Sequence, residues 1–126
     1  MTIDTPAVSA ALARIREMAL LLPEAEERPG DGQPTFCVDG TPFAEVRENQ
    51  DDDGLHVVNV RTSGMDEQAM LIETAPEVYS TPADLGPSGW VGMTLAGDVD
   101  WPLVEDRIAR SWELTAPRRL LEAGGR

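Results

Sequence analysis

Asp39-Gly40 is the feature that most constrains this chain. It stands between Thr35-Phe36-Cys37-Val38 and Phe43-Ala44-Glu45-Val46-Arg47, two short runs rich in β-branched and aromatic residues. Asp-Gly supplies the two positive φ values of a type I′ turn, the turn whose twist matches paired strands. The dipeptide therefore predicts an antiparallel hairpin and, with it, an antiparallel sheet. A looser turn through Asn49 to Gly54 leads to a third strand, Leu55 to Arg61. Val78 to Ser80 and Trp90 to Leu95 are two further short strands, the second alternating Val91, Met93 and Leu95 with Gly92 and Thr94.

The helices are set by period and by proline. Val8, Leu12, Ile15, Ala19 and Leu22 recur at steps of three and four and lie on one face of a helix that Pro23 ends. Glu24 to Pro34, polar and rich in Gly and Pro, reads as a loop. Asp66 to Ala75 reads as a helix whose apolar side is Ala69, Met70, Leu71 and Ile72, broken by Pro76. Asp100 caps a long helix with Pro102 in its first turn, and Trp101, Val104, Ile108 and Trp112 form its buried stripe. Pro117 stops it, and Arg118 to Ala123 is a short closing helix. With no repeat or linker dividing the chain, residues 1–126 are expected to form a single α+β domain.

Charge narrows the function. The sequence carries 10 basic and 23 acidic residues, a net charge of −13, and every basic residue is arginine. Net repulsion of that size opposes a surface that tracks phosphates. The excess is uneven. Glu24 to Asp53 holds ten acids against Arg28 and Arg47, a net of −8, whereas Arg107 to Arg126 has a net of +3. A basic contact surface must therefore lie at the C-terminal end, with Arg61 and Trp90 as candidates to join it. Trp90 follows a Gly/Pro loop and is out of phase with Val91, Met93 and Leu95. It either faces a groove or partner, or is a half-buried sheet residue.

Chemical motifs are scarce. One cysteine gives neither a disulfide framework nor a Cys-based zinc site. Asn49, Asp51, Asp53 and Gly54 match the start of a calcium loop, but the twelfth position is Val60 where a bidentate Glu is needed. The Asp51–Asp53 run is thus expected to be a solvated turn. Cys37 and His56, on the first and third strands of the meander, could be near neighbours and are the one conceivable nucleophile pair, which would need a third orienting group and an oxyanion hole. No nucleophile elbow, P-loop or dinucleotide fingerprint is present. The sequence predicts no catalytic residues, no metal and no cofactor. No apolar run reaches the ~18–20 residues of a membrane span, and the first residues lack a signal-peptide layout, so the expected setting is cytoplasmic.

Several blocks together resemble the MmcQ/YjbR family of small bacterial proteins. They are Leu22-Pro23-Glu24-Ala25-Glu26-Glu27, Pro34 to Gly40 with Phe43-Ala44, Ala75-Pro76-Glu77-Val78-Tyr79, Gly89 to Leu95, Asp98-Val99-Asp100-Trp101, and Leu114 to Leu120. The resemblance implies a CyaY-like two-layer sandwich, an antiparallel sheet with helices packed on one face. It also implies a DNA-binding or regulatory role without catalysis, for which Arg118, Arg119, Trp90 and Arg61 are the candidate residues. A namesake's drug resistance implies an alternative, sequestration of a small planar ligand. Protein–protein contact through the acidic Glu24–Asp53 region is a third.

Overall fold

The structure is a computed structural model that describes residues 6–30, 33–49, 55–82, 85–95 and 98–124. Its elements are α1 (Pro6–Leu20), β1 (Ala25–Gly30), β2 (Gln33–Val38), β3 (Thr41–Asn49), β4 (Leu55–Val60), α2 (Met65–Thr74), β5 (Tyr79–Ser80), β6 (Val91–Thr94), α3 (Trp101–Thr115) and α4 (Arg118–Gly124), with a 3-10 turn at Gly86–Ser88. The six strands form one antiparallel sheet in the order β1-β2-β3-β4-β6-β5.

The hairpin forms as its dipeptide dictates. Asp39 and Gly40 take φ of 52° and 78°, and Val38 pairs with Thr41 across the turn. A register shift at Phe36/Cys37 lets Phe36, Cys37 and Val38 all be buried in succession, which plain alternation would forbid.

One stretch departs from the sequence reading. Glu24 to Pro34 is not a loop: Ala25 to Gly30 forms an edge strand, with Glu27 opposite Phe36 and Pro29 opposite Pro34. An edge strand pairs on one side only, so it tolerates proline, and charged residues suit its free side. Glu27 needs no apolar contact because Arg16 of α1 holds both its oxygens, Nε to Oε1 at 2.7 Å and Nη2 to Oε2 at 2.9 Å.

The sheet face bearing Val46, Val58, Val60, Val91 and Met93 packs with Ile15 and Ala19 of α1 and with Val104, Ile108 and Trp112 of α3. Trp101, the first residue of the α3 stripe, is only partly buried, and Arg14 stacks 4.7 Å from its ring centroid. In α2 the expected apolar side is corrected. Ala69 and Met70 are exposed, Leu71 and Ile72 are half-buried, and the buried residue is Gln68. Its amide replaces apolar contact with hydrogen bonds, donating from Nε2 to the carbonyls of Gly86 and Trp90.

Candidate functional site

Register brings Arg61 and Trp90 together. Val60 of β4 is paired with Val91 of β6, and both face the core, so the next residue outward on each strand, Arg61 and Trp90, turns to the opposite face. There the Arg61 guanidinium lies 4.8 Å from the Trp90 ring centroid. Trp90 is 3% exposed, so its face is already occupied and does not line an open groove.

Arg61 is held from three sides. Its backbone N–H donates to Ser111 Oγ at 2.9 Å, its Nε donates to the Pro42 carbonyl at 2.9 Å, and its plane rests on the indole. Ser111, fully buried on α3, donates its hydroxyl to the Phe43 carbonyl in turn. Helix and hairpin strand thus converge on one arginine, α3 at its backbone N–H and β3 at its guanidinium. Desolvation pushes the Arg61 pKa down, but an arginine starts so high that it stays charged. Its Nη1 and Nη2 have no hydrogen-bond or ion-pair partner among the described residues. What remains is a half-buried, pre-oriented fork with its terminal N–H groups uncommitted, suited to a planar anion.

Arg118 and Arg119 are differently placed. Arg119 spans Glu24, with Nη1 to Oε2 and Nη2 to Oε1 both 3.2 Å, and reaches Asp39 at 3.8 Å. The guanidinium holds the Glu24 carboxyl below its ordinary range. Arg118 is 3.8 Å from Glu122 one turn along α4. Both arginines sit at the same end of the sheet as Arg61: Arg119 touches Asp39 and Arg61 touches Pro42, on the same β2–β3 hairpin. The four candidates therefore share one end of the sheet, and Arg118 and Arg119 are paired with acids.

Ser111, Gln68 and the Pro42 carbonyl were missed from sequence. Ser111 carried a signal, since it falls three residues after Ile108 and seven after Val104, a polar residue inside an apolar stripe. The other two act through contacts 18 to 22 residues apart in the chain that no local pattern encodes.

The Cys37–His56 pair does not form. Cys37 is opposite Pro42 at one end of β3 and His56 opposite Glu48 at the other. Six residues of extended strand put roughly 20 Å between these positions. Burial also pushes the Cys37 thiol pKa up, away from a reactive thiolate. The Asp51–Asp53 run lies outside the described residues. Among the described residues no cluster of three or more His, Cys, Asp or Glu is placed to hold a metal ion, and no helix is long and apolar enough to cross a membrane.

The YjbR family profile matches residues 20–114, from the end of α1 to the last turn of α3. The chain belongs to the YjbR family. Its YjbR fold is similar to the crystal structure of the Deinococcus radiodurans protein DR2400, a domain described as DUF419. The TM-score is 0.71 at 18% identity, covering 90% of this chain and 87% of that one. That likeness shows the fold, an α+β open antiparallel sheet with helices packed against it. No curated protein matches the chain in sequence.

Proposed function

We propose that this YjbR protein is a non-enzymatic, cytoplasmic binding module that captures a small anion carrying a planar ring, an aromatic carboxylate or a nucleoside monophosphate, at Arg61. The observation that carries the reading is a fork held by Pro42 and Trp90, on a backbone tied to Ser111, whose terminal nitrogens have no partner among the described residues. Holding the guanidinium before the ligand arrives removes part of the ordering cost of binding. The anion takes the Nη edge, and the ligand's ring stacks on the guanidinium face turned away from Trp90. The indole is then a support for the arginine rather than the stacking surface itself.

The test is a panel of aromatic carboxylates and nucleoside monophosphates at millimolar concentration, read by thermal stabilisation and tryptophan fluorescence. The reading expects stabilising members of the panel whose effect disappears in Arg61→Gln. A panel with no stabilising member, or stabilisation unchanged in Arg61→Gln, overturns it.

Gathering of Arg61, Trp90, Arg118 and Arg119 at one end of the sheet favours a second reading, contact with DNA. Electrostatic affinity for a duplex comes from several phosphate contacts and falls steeply with salt. With Arg118 and Arg119 paired to Glu122, Glu24 and Asp39, few cations are left to make them. This second reading requires duplex binding at 50 mM salt that weakens at 200 mM and is lost in Arg118→Ala/Arg119→Ala. Absence of any complex at 50 mM salt eliminates it.

A further inference from the structure

At the other end of β6, away from Trp90, a cleft of about 70 Å³ opens between the sheet and the start of α3. Val78, Met93, Val99 and Leu103 give it apolar walls, and Asp98 and Asp100 stand in its lining with both residues exposed to solvent. Its volume is far below the roughly 300–1,000 Å³ of pockets that take drug-sized ligands. An aromatic ring with substituents is therefore too large, whereas a single unbranched alkyl chain fits.

The charges select what the chain must carry at its tip. Asp100 Oδ1 accepts from the Leu103 N–H at 3.2 Å as the cap of α3, leaving Oδ2 uncommitted. Asp98 has no hydrogen-bond or ion-pair partner among the described residues. The N-terminus of α3 contributes only the equivalent of about half a positive charge. Two carboxylates outweigh it, so the mouth is negative.

We infer that this cleft receives a lysine side chain from a partner protein. A lysine buries its alkyl stem along apolar surface and keeps its ammonium at the polar rim. Here the stem lies against Val78, Met93 and Leu103 while the ammonium meets Asp98 and Asp100. A guanidinium is a poorer fit, being a planar fork rather than a compact charge. The given sequence offers no lysine of its own, all ten of its basic residues being arginine. The site is independent of the Arg61 reading and at the opposite end of the sheet.

Short blocked peptides containing one lysine, one arginine or one norleucine, titrated to 10 mM and followed by amide shifts of the whole chain, test this. The expected result is saturable shifts at Val78, Val99 and Leu103 for the lysine peptide, at least fivefold weaker for arginine and norleucine. Asp98→Asn/Asp100→Asn keeps a cap at position 100, since Asn caps as well as Asp, and should abolish the lysine preference while leaving the other amide shifts in place. Norleucine binding as well as lysine, arginine binding as well as lysine, or no shifts at 10 mM would each overturn the inference.

Discussion

The Arg61 guanidinium is stacked on Trp90 at 4.8 Å and tied through Nε to the Pro42 carbonyl. It is the point where the β2–β3 hairpin, the end of β4 and the start of β6 are joined. Replacing Arg61 with Lys keeps the charge but removes the planar stack and the Nε–H bond. We expect Arg61→Lys to lose about 1–2 kcal/mol of stability in urea unfolding and to red-shift tryptophan emission as the indole is uncovered. An unchanged emission maximum would show that Arg61 does not shield Trp90.

Ser111 is the buried link behind this pair. Removing its hydroxyl takes the donor from the buried Phe43 carbonyl and the acceptor from the part-buried Arg61 N–H. Ser111→Ala is expected to cost about 2–3 kcal/mol in chemical denaturation, more than a typical surface change. A loss within about 0.5 kcal/mol would mean that water or a backbone shift satisfies both groups.

On the same face, the buried Asn59 carboxamide lies over Gly92. A Cβ at residue 92 would meet Asn59 Oδ1 at 2.8 Å and Ser80 Oγ at 3.2 Å. Asn59 Oδ1 accepts no hydrogen bond from the described residues, so the fit is steric rather than polar. Gly92→Ala should destabilise by about 1–3 kcal/mol through overpacking. Adding Asn59→Ala should recover part of that loss, a coupling that a double-mutant cycle measures directly. Strict additivity would place the clash elsewhere.

Of the glutamates held below their ordinary range, Glu24 is exposed, and the part-buried Glu27 and Glu67 are expected to contribute most to the acid limb. Arg16 holds Glu27 below the ordinary glutamate range. The backbone N–H of Ser63 does the same for Glu67 against the opposing effect of burial, with Arg107 adding to it. A carboxylate with a depressed folded pKa contributes stability that is present above its unfolded value and lost as pH falls through the folded one. Stability should therefore decline below about pH 4.5. Glu27→Gln/Glu67→Gln should start lower at pH 7 and decline less between pH 5 and pH 3. Parallel curves for the two proteins would remove these pairs from the acid response.

Much of the fold was legible because local rules and tertiary packing agree. Asp39-Gly40 fixed the hairpin, and the stripe of α3 emerged at Val104, Ile108 and Trp112 as its spacing required. The β1 strand was not legible. Its signal is polar, its one proline reads as punctuation, and the residue it turns inward, Glu27, is satisfied by an arginine eleven positions earlier. Gln68 was hidden for a similar reason, a buried polar side chain whose partners lie across the fold. At the site, sequence named Arg61 and Trp90 separately and the sheet register joined them. It also named Arg118 and Arg119, but their acidic partners at Glu24, Asp39 and Glu122 are set by the docking and pitch of α4.

The most direct test of Arg61 as the recognition residue compares wild type, Arg61→Gln and Arg118→Ala/Arg119→Ala in one titration. Each is mixed with the same stabilising aromatic carboxylate or nucleoside monophosphate and followed by tryptophan fluorescence. Affinity should fall at least tenfold in Arg61→Gln and stay within twofold of wild type in Arg118→Ala/Arg119→Ala. Equal binding by Arg61→Gln and wild type, with the loss appearing instead in Arg118→Ala/Arg119→Ala, would contradict the account and move recognition to α4.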